Sequence, residues 1–410
     1  MRLLILLTAL LLPAPIGAQA QRCTTQQQSP ATADMPPTTI NPVMLRVLGP
    51  PIIPVPATDG RVHLAYAAQV TNLADGVAIV EAIEPVDALR GFAPTGRNEV
   101  LAVDGGAITG QVRLFGVTPP GSRDSATVPA GGSGVMFFDV TYPDLDAVPE
   151  LLAHRISIRT AGGTTISTLT DPVRVACEPP VRISPPLAGS GWWNGNGCCR
   201  TVNAHRGATL PLNGDLRVPE QFAIDFVQLA PDGTCCSGAP VREVRSWRFY
   251  DAPVLAVGAG PVVEAVDDMG DQVPGPPEGV TVRNAPGNYV IQDIGGGRFA
   301  LYAHLRPRSV AVRAGETLRP GQPIGRVGNS GSSTAPHLHF QVMDRPSALN
   351  AVGLPFVFDR LRVEGRVQGP PDRAEEDFEA GRPVQVERQG AGLRTDQMPA
   401  EGQVFGFHLD

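Results

Sequence analysis

The stretch Asn329-Ser330-Gly331-Ser332-Ser333-Thr334-Ala335-Pro336-His337-Leu338-His339-Phe340 ends in a pattern with a period of two. In a β-strand successive side chains point to opposite faces. His337 and His339 therefore share one face, and Leu338 and Phe340 point the other way, into a core. Two imidazoles at i and i+2 on a rigid face form a two-point claw for a metal, or a ligand beside a base. Taken alone, the pattern fits two surface histidines on a half-buried strand better.

Two upstream runs change that balance. Phe222-Ala223-Ile224-Asp225-Phe226 sets a carboxylate between apolar residues on a strand-like run. Phe299-Ala300-Leu301-Tyr302-Ala303-His304-Leu305 alternates, and the alternation predicts Tyr302 and His304 on the face opposite Leu301, Ala303 and Leu305. An Asp in such a strand is costly to bury unless it is paired or holds a cation. Asp225, His304, His337 and His339 can thus converge from three strands of one sheet. That nitrogen and oxygen set suits zinc with one coordination position left open.

Over residues 184–359 the chain resembles the lysostaphin-type (LytM-like) zinc metalloendopeptidases. The resemblance is carried by Phe222–Asp225, Ala252–Gly258, Gly287–Ile291, Leu301–Leu305, Gly321–Gly331 and His337–Phe340, in that order. It implies an antiparallel β fold with a narrow groove, Zn2+ as cofactor, and hydrolysis of peptide cross-links in bacterial peptidoglycan. It also implies that Asp225 and His339 are metal ligands and that His304 and His337 serve catalysis. In the family the remaining ligand is a His four residues before the Asp; here that position is Gln221. On a strand i and i+4 share a face, so Gln221 is expected to point at the site, although a neutral amide is a poor zinc ligand.

His205 is the candidate replacement metal ligand. It opens the run His205–Leu212, which is followed by Asn213-Gly214 and then by the strand carrying Asp225. Asn-Gly between apolar runs signals a hairpin. A tight turn pairs Leu212 with Asp215 and sets His205 opposite Phe222, away from Asp225. One bulged residue moves it onto the metal face, and both registers are open.

Composition agrees with an all-β chain. Gly (46) and Pro (42) make about a fifth of the 410 residues and fall between short alternating runs, which favours strands and turns over helices. The net charge is -7 and every one of the 33 basic residues is Arg, with no basic cluster. Nucleic acid is therefore excluded as a natural partner. Anionic wall polymers must be held by a shaped groove rather than by charge.

Residues 1–20 read as a signal peptide: Arg2, a short apolar run, then Ala18-Gln19-Ala20 as a small-x-small cleavage site. The mature protein is thus expected in the periplasm or outside the cell, with no stable membrane span. Residues 21–41 read as a linker. Residues 42–178 are expected to form an immunoglobulin-like β-sandwich, from runs such as His63–Thr71, Val135–Tyr142 and Arg155–Arg159. His63 and His154 are expected on its surface. Residues 184–365 then form the peptidase domain, with Trp192 and Trp193 in its core. Residues 366–410 form a tail in which Asp372–Asp377 is a solvated acidic turn, followed by terminal strands.

Six cysteines in an oxidising compartment favour disulfides. Cys198-Cys199 and Cys235-Cys236 flank the segment carrying His205 and Asp225, and cross-bridges between the two doublets are expected to clamp it. Cys23 and Cys177 can pair around the N-terminal domain. Two functions stay open. One is an active endopeptidase acting on peptidoglycan peptide stems. The other is a degenerate relative that binds peptidoglycan or regulates another hydrolase, with a cell-wall or division protein as partner.

Overall fold

The run around His63 lies in a long strand whose two faces are both covered. In the computed structural model the described residues are 35–49, 51–101, 110–116, 124–237, 240–388 and 390–407. Strand β2 (Val62–Asn72) pairs antiparallel with β1 (Val43–Val47) on one side and with β4 (Ser133–Tyr142) on the other. A second sheet contains β3 (Ala78–Asp87), β5 (Leu151–Thr160) and β6 (Thr165–Leu169), with β5 in the middle. The sheets face each other across one core, with Leu64, Tyr66 and Phe138 meeting Val80, Ile83, Leu152 and Ile156. This is a β-sandwich. The other face of β2 does not meet water. Ala67 packs with Val202 and Val218, and Ala65 packs with Phe222 and Val357, all from the C-terminal half of the chain.

That covered face corrects the expectation that His63 and His154 are surface residues. His154 is buried between the sheets, with Nε2 2.7 Å from the Tyr66 hydroxyl, and burial pulls its pKa down to about 4. His63 is 6% exposed and is held as an imidazolium: Nδ1 is 2.8 Å from Asp139 and Nε2 is 3.1 Å from Asp59. Burial alone lowers its pKa, but the two carboxylates outweigh it and push it up to about 10.

The C-terminal half is built on one long antiparallel sheet. Its longer strands are β7 (Gly189–Gly195), β8 (Ile224–Gln228), β9 (Gly260–Val266), β10 (Asn288–Asp293), β11 (Phe299–Leu305), β12 (Leu338–Met343), β13 (Leu361–Val367) and β14 (Gln403–Phe407). They lie in the order β9-β10-β11-β12-β8-β7-β14-β13. Ile224, Phe226, Tyr302, Leu338 and Phe340 all enter one core with Trp192, Trp193, Phe358 and Phe405. Both tryptophans are therefore core residues, as expected.

Three expectations about the linking segments are corrected. Strand β8 starts only at Ile224, and Gln221 lies in the preceding turn. The face-sharing rule for strands does not reach it, and its Nε2 donates to the Ala65 carbonyl at 2.7 Å, away from Asp225. The cysteine doublets do not cross-bridge: Cys198 bonds Cys199 and Cys235 bonds Cys236. Cys177 is in a disulfide as well. Cys23 lies outside the described residues, as does the expected leader at 1–20. The acidic run is not a solvated turn but helix α1 (Pro371–Glu379). Pro at its first position and Gly381 in the left-handed region just past its end are ordinary helix boundaries. Ala374 and Phe378, four apart, seat it. Phe378 packs edge-on against Trp193 (5.6 Å) and Trp247 (5.4 Å).

Two tests follow from this packing. The raised pKa of His63 means that its contribution is full below pH 6.5 and is lost as the pH climbs through about 10. Denaturant unfolding should show wild type ahead of His63→Gln in acid, with the gap closing across that range; a constant gap would refute the ion-pair account. Phe378→Ala should cost about 3–5 kcal/mol of packing. Amide exchange should then speed up over residues 371–379 while β8 and β12 stay protected, and uniform loss of protection would show that α1 is not a separable unit.

Candidate metal centre

The site forms where β11, β12 and β8 run side by side. Asp225 pairs directly with His339, and His339 pairs on its other side with Ala303. Paired residues share a face, so Asp225, His339, Ala303 and Leu301 all lie on the face opposite the core residues Ile224, Phe226, Phe340 and Tyr302. His337 sits just before β12, bonded through its backbone N–H to the Gly328 carbonyl.

His304 reaches this face by a device that simple alternation does not contain. Asn288 pairs with Leu305 and Val290 with Tyr302, so Tyr289 alone stands opposite Ala303 and His304. This is a β-bulge, and His304 has φ +60°. The bulge turns its ring from the core face to the metal face. Tyr302 stays on the core side, donating to Gln292 (2.8 Å) and accepting from Val257 N–H (2.8 Å). The expectation that Tyr302 and His304 share a face is thus corrected.

His205 also reaches the site, by neither expected register. The Asn213-Gly214 turn forms with both residues at positive φ, and Leu212 pairs with Asp215. Pairing ends at Leu210 and Arg217, however, and His205 lies in a separate turn. Its Nε2 is 3.1 Å from Asp225 Oδ2.

The result is a carboxylate ringed by nitrogens. Asp225 Oδ1 is 3.0 Å from His339 Nδ1 and 3.2 Å from His337 Nε2; Oδ2 meets His205 and also accepts from Asn196 Nδ2 at 3.0 Å. The His304 ring centroid is 4.8 Å from that of His337. The outer nitrogens fix the tautomers, because carbonyl oxygens only accept. His205 Nδ1 donates to Asn196 and Ala223 oxygens (3.0 and 3.2 Å), His304 Nδ1 to Ser330 (2.7 Å), and His337 Nδ1 to Ala335 (2.8 Å). His339 Nε2 donates to Gln341 Oε1 (2.9 Å), whose own amide is oriented by the Ala348 carbonyl (3.2 Å).

His205, His337 and His339 thus turn a bare nitrogen, when neutral, toward a carboxylate that offers only lone pairs. Such a cluster is repulsive unless positive charge sits inside it. In the absence of a cation, protons supply that charge. Burial opposes the charged forms of His205, His337 and His339, but Asp225 outweighs it and raises all three pKa values. Burial would raise Asp225, yet His205 and His337 hold it well below the usual carboxylate range. His304, buried and beside His337 and His339, is driven well below its usual value and is neutral. A divalent cation would meet the same need, and outer hydrogen bonds already orient each donor for it. Two overlapping donor sets have all their ligand atoms within 4.8 Å: His205, Asp225 and His339, and His304, His337 and His339.

Sequence reasoning missed Gln341, Asn196 and Glu375. Gln341 carries a signal, being two residues past His339 and so on its face. Asn196 carries none. Glu375 comes from α1, which lies along the cleft together with Glu376 and Glu379; Glu220 lines it as well, and no Arg is found among its described lining residues. The Glu375 carboxylate, open to the cleft but enclosed by it, is pushed up to about 7 by desolvation, Glu379 and Asp225.

Comparison with known proteins finds similarity over part of the C-terminal half of the chain. Residues 248–351 match peptidase family M23, a segment that contains His304, His337 and His339 and excludes His205 and Asp225. The peptidoglycan DD-endopeptidase ShyA of Vibrio cholerae is 39% identical over 75 residues, 18% of this chain and 17% of ShyA, so the chain spans under a fifth of that relative's length. Among solved structures, the catalytic domain of lysostaphin from Staphylococcus simulans is 24% identical, covering 40% of this chain and 85% of that one, with a TM-score of 0.22. A point-mutant catalytic domain of the prophage-encoded M23 protein EnpA from Enterococcus faecalis is 21% identical, covering 38% and 85%, with a TM-score of 0.23. The segment that carries His304, His337 and His339 is thus similar to peptidase family M23.

Proposed function

We propose that the protein is an exported zinc metalloendopeptidase that hydrolyses peptide cross-links of bacterial peptidoglycan. The observation that carries this reading is the Asp225 carboxylate, in contact through both oxygens with the inward nitrogens of His205, His337 and His339. His205, Asp225 and His339 would hold the zinc. When bound, zinc supplies Lewis acidity toward the scissile carbonyl and makes a water acidic enough to ionise near pH 7.

The remaining steps belong to the chain. His304, kept neutral by burial and pinned at Nδ1 by Ser330, offers Nε2 to accept a proton. His337, pinned at Nδ1 by Ala335, directs Nε2 at the same space and can hold or return a proton to the leaving amine. The bulge at His304 and the carbonyl clamps keep both rings from swinging away, which is the orientation that proton transfer needs. Asp225 keeps the centre nearer neutral charge. The acidic lining of the cleft gives an anionic wall polymer no electrostatic help, so binding must come from shape and from backbone hydrogen bonds along the strands.

Gln221 is the one sequence feature favouring a binding-only relative. It is engaged with Ala65 instead, and His205 stands against Asp225, which supports the catalytic reading. Export is proposed from the leader-like N-terminus; no described helix is long and apolar enough to cross a membrane.

Purified mature protein should carry about one zinc per chain, as three protein ligands with one open position require. His339→Ala, Asp225→Ala and His205→Ala should each lose it. His304→Ala and His337→Ala should keep the metal and lose muropeptide release about a hundredfold or more. Protein that takes up no zinc on reconstitution, or release that survives both chelator and His337→Ala, would overturn the proposal.

A further inference from the structure

Two of the segments that feed the Asp225 cluster are fastened to one spot on the N-terminal sandwich. Arg206 directly follows His205. Its side chain is 2% exposed, and Nη2 donates to the Phe138 carbonyl on β4 at 3.0 Å. Its backbone N–H donates to Asn203 Oδ1 (3.0 Å), and Asn203 Nδ2 donates to the Gly197 carbonyl (2.9 Å). These bonds close the loop that also presents Asn196 to Asp225. Gln221, four residues before Asp225, donates to the Ala65 carbonyl on β2. In the β2–β4 ladder Tyr66 pairs with Phe138 and Ala65 with Asp139. The two accepting carbonyls therefore sit on neighbouring rungs.

The side chains of the Tyr66–Phe138 rung are buried in the core of the sandwich. Phe138 stacks on Tyr66 with ring centroids 4.7 Å apart, and the Tyr66 hydroxyl is tied to His154. The tether itself is expensive. Arg206 Nε and Nη1 have no hydrogen-bond partner among the described residues, and neither does Gln221 Oε1; Asp139 and Glu401 supply opposite charge through space. An apolar side chain of similar length would cost less to bury. Folding stability alone does not account for Arg206 at this position.

We propose that the Ala65 and Phe138 rungs are a template for the metal centre, and that Arg206 and Gln221 are positioning residues that hold His205 and Asp225 at ligand distance. This rests on the reading that the cluster holds zinc. A ligand set tolerates only about 0.5 Å of misplacement, and His205 lies on a turn outside the sheet, with no ladder of its own to fix it. The sandwich supplies what the ladder does not. The side chain at position 221, where the resembled family has a ligand, serves as an anchor, and the ligand comes from the second anchored segment.

The test uses the full-length chain as wild type, Arg206→Met, Arg206→Lys and Gln221→Leu. Zinc affinity is read by competition with a chromophoric chelator, coordination by the visible spectrum of the Co2+-substituted protein, and folding by the melting temperature of the metal-free form. Arg206→Met and Gln221→Leu should bind zinc about 10–100-fold more weakly, the range for loss of a group that orients a ligand. Their cobalt spectra should change while the metal-free melting temperature holds or rises. Arg206→Lys, which keeps a donor for the Phe138 carbonyl, should recover part of the affinity. Two folded variants with zinc affinity within about twofold of wild type and an unchanged cobalt spectrum would overturn the template. Should Arg206→Met fail to fold, Gln221→Leu, which removes no charge, decides by the same measurements. Wild-type protein that binds no zinc would instead overturn the metal-centre reading itself.

Discussion

A carboxylate enclosed by protein must be answered by positive charge, and the architecture around Asp225 is organised by that requirement. Its backbone neighbours Ile224 and Phe226 lie in the core, so the strand cannot shift to release it into water. The strand in register delivers His339, the residue leading into that strand delivers His337, a bulge on the next strand delivers His304, and a separate turn delivers His205. Each ring is held from behind by a hydrogen bond to a carbonyl or amide oxygen. The charge is thus met by groups whose geometry is set before any ion arrives.

Much of this is legible in the sequence because strands have a period of two. His337 and His339 fall on one face and Leu338 and Phe340 on the other; the same period places Asp225 between two core residues. The rule fails at two places, for one reason. It assumes an unbroken strand, and neither His304 nor Gln221 lies in one. At His304 a bulged residue restores by geometry what alternation denies, so the ring reaches the site although the argument that puts it there, a shared face with Tyr302, does not hold. At Gln221 the strand has not yet begun, so the side chain is free to turn toward the sandwich. Register reasoning leaves His205 open because the hairpin that governs register stops five residues short of it. The acidic run at 372–377 reads as a turn when its charges are weighed and the Ala374–Phe378 spacing, which is what docks a short helix, is overlooked.

The histidines of the sandwich show how burial depends on partners that no local pattern reveals. His63 and His154 sit in alternating runs, and alternation by itself leaves one face of a strand open to solvent. The C-terminal half covers one of those faces, and the opposing sheet covers the other. Two buried imidazoles then take opposite charge states: His154, against a hydroxyl, is neutral, and His63, between two carboxylates, is charged. The same chemistry with a different ring of neighbours produces the cluster at Asp225, where several imidazoles share one carboxylate and one of them, His304, is forced to stay neutral.

The donors come from positions 205, 225, 304, 337 and 339, so a metal bound among them would close long loops of chain. In small metal-folded domains that closure is most of the folding energy. Here the strands that carry Asp225, His304 and His339 also carry Phe226, Tyr302 and Phe340, which pack into a core large enough to hold the sheet by apolar burial. The ladder therefore forms without an ion. The same division explains why His205 is different in kind. It is the imidazole at Asp225 that is placed neither by this sheet nor by the residue leading into it, and its loop is tied to the sandwich through Arg206 and Asn203. Whatever loosens that contact frees this donor first, while the other imidazoles stay where the sheet puts them.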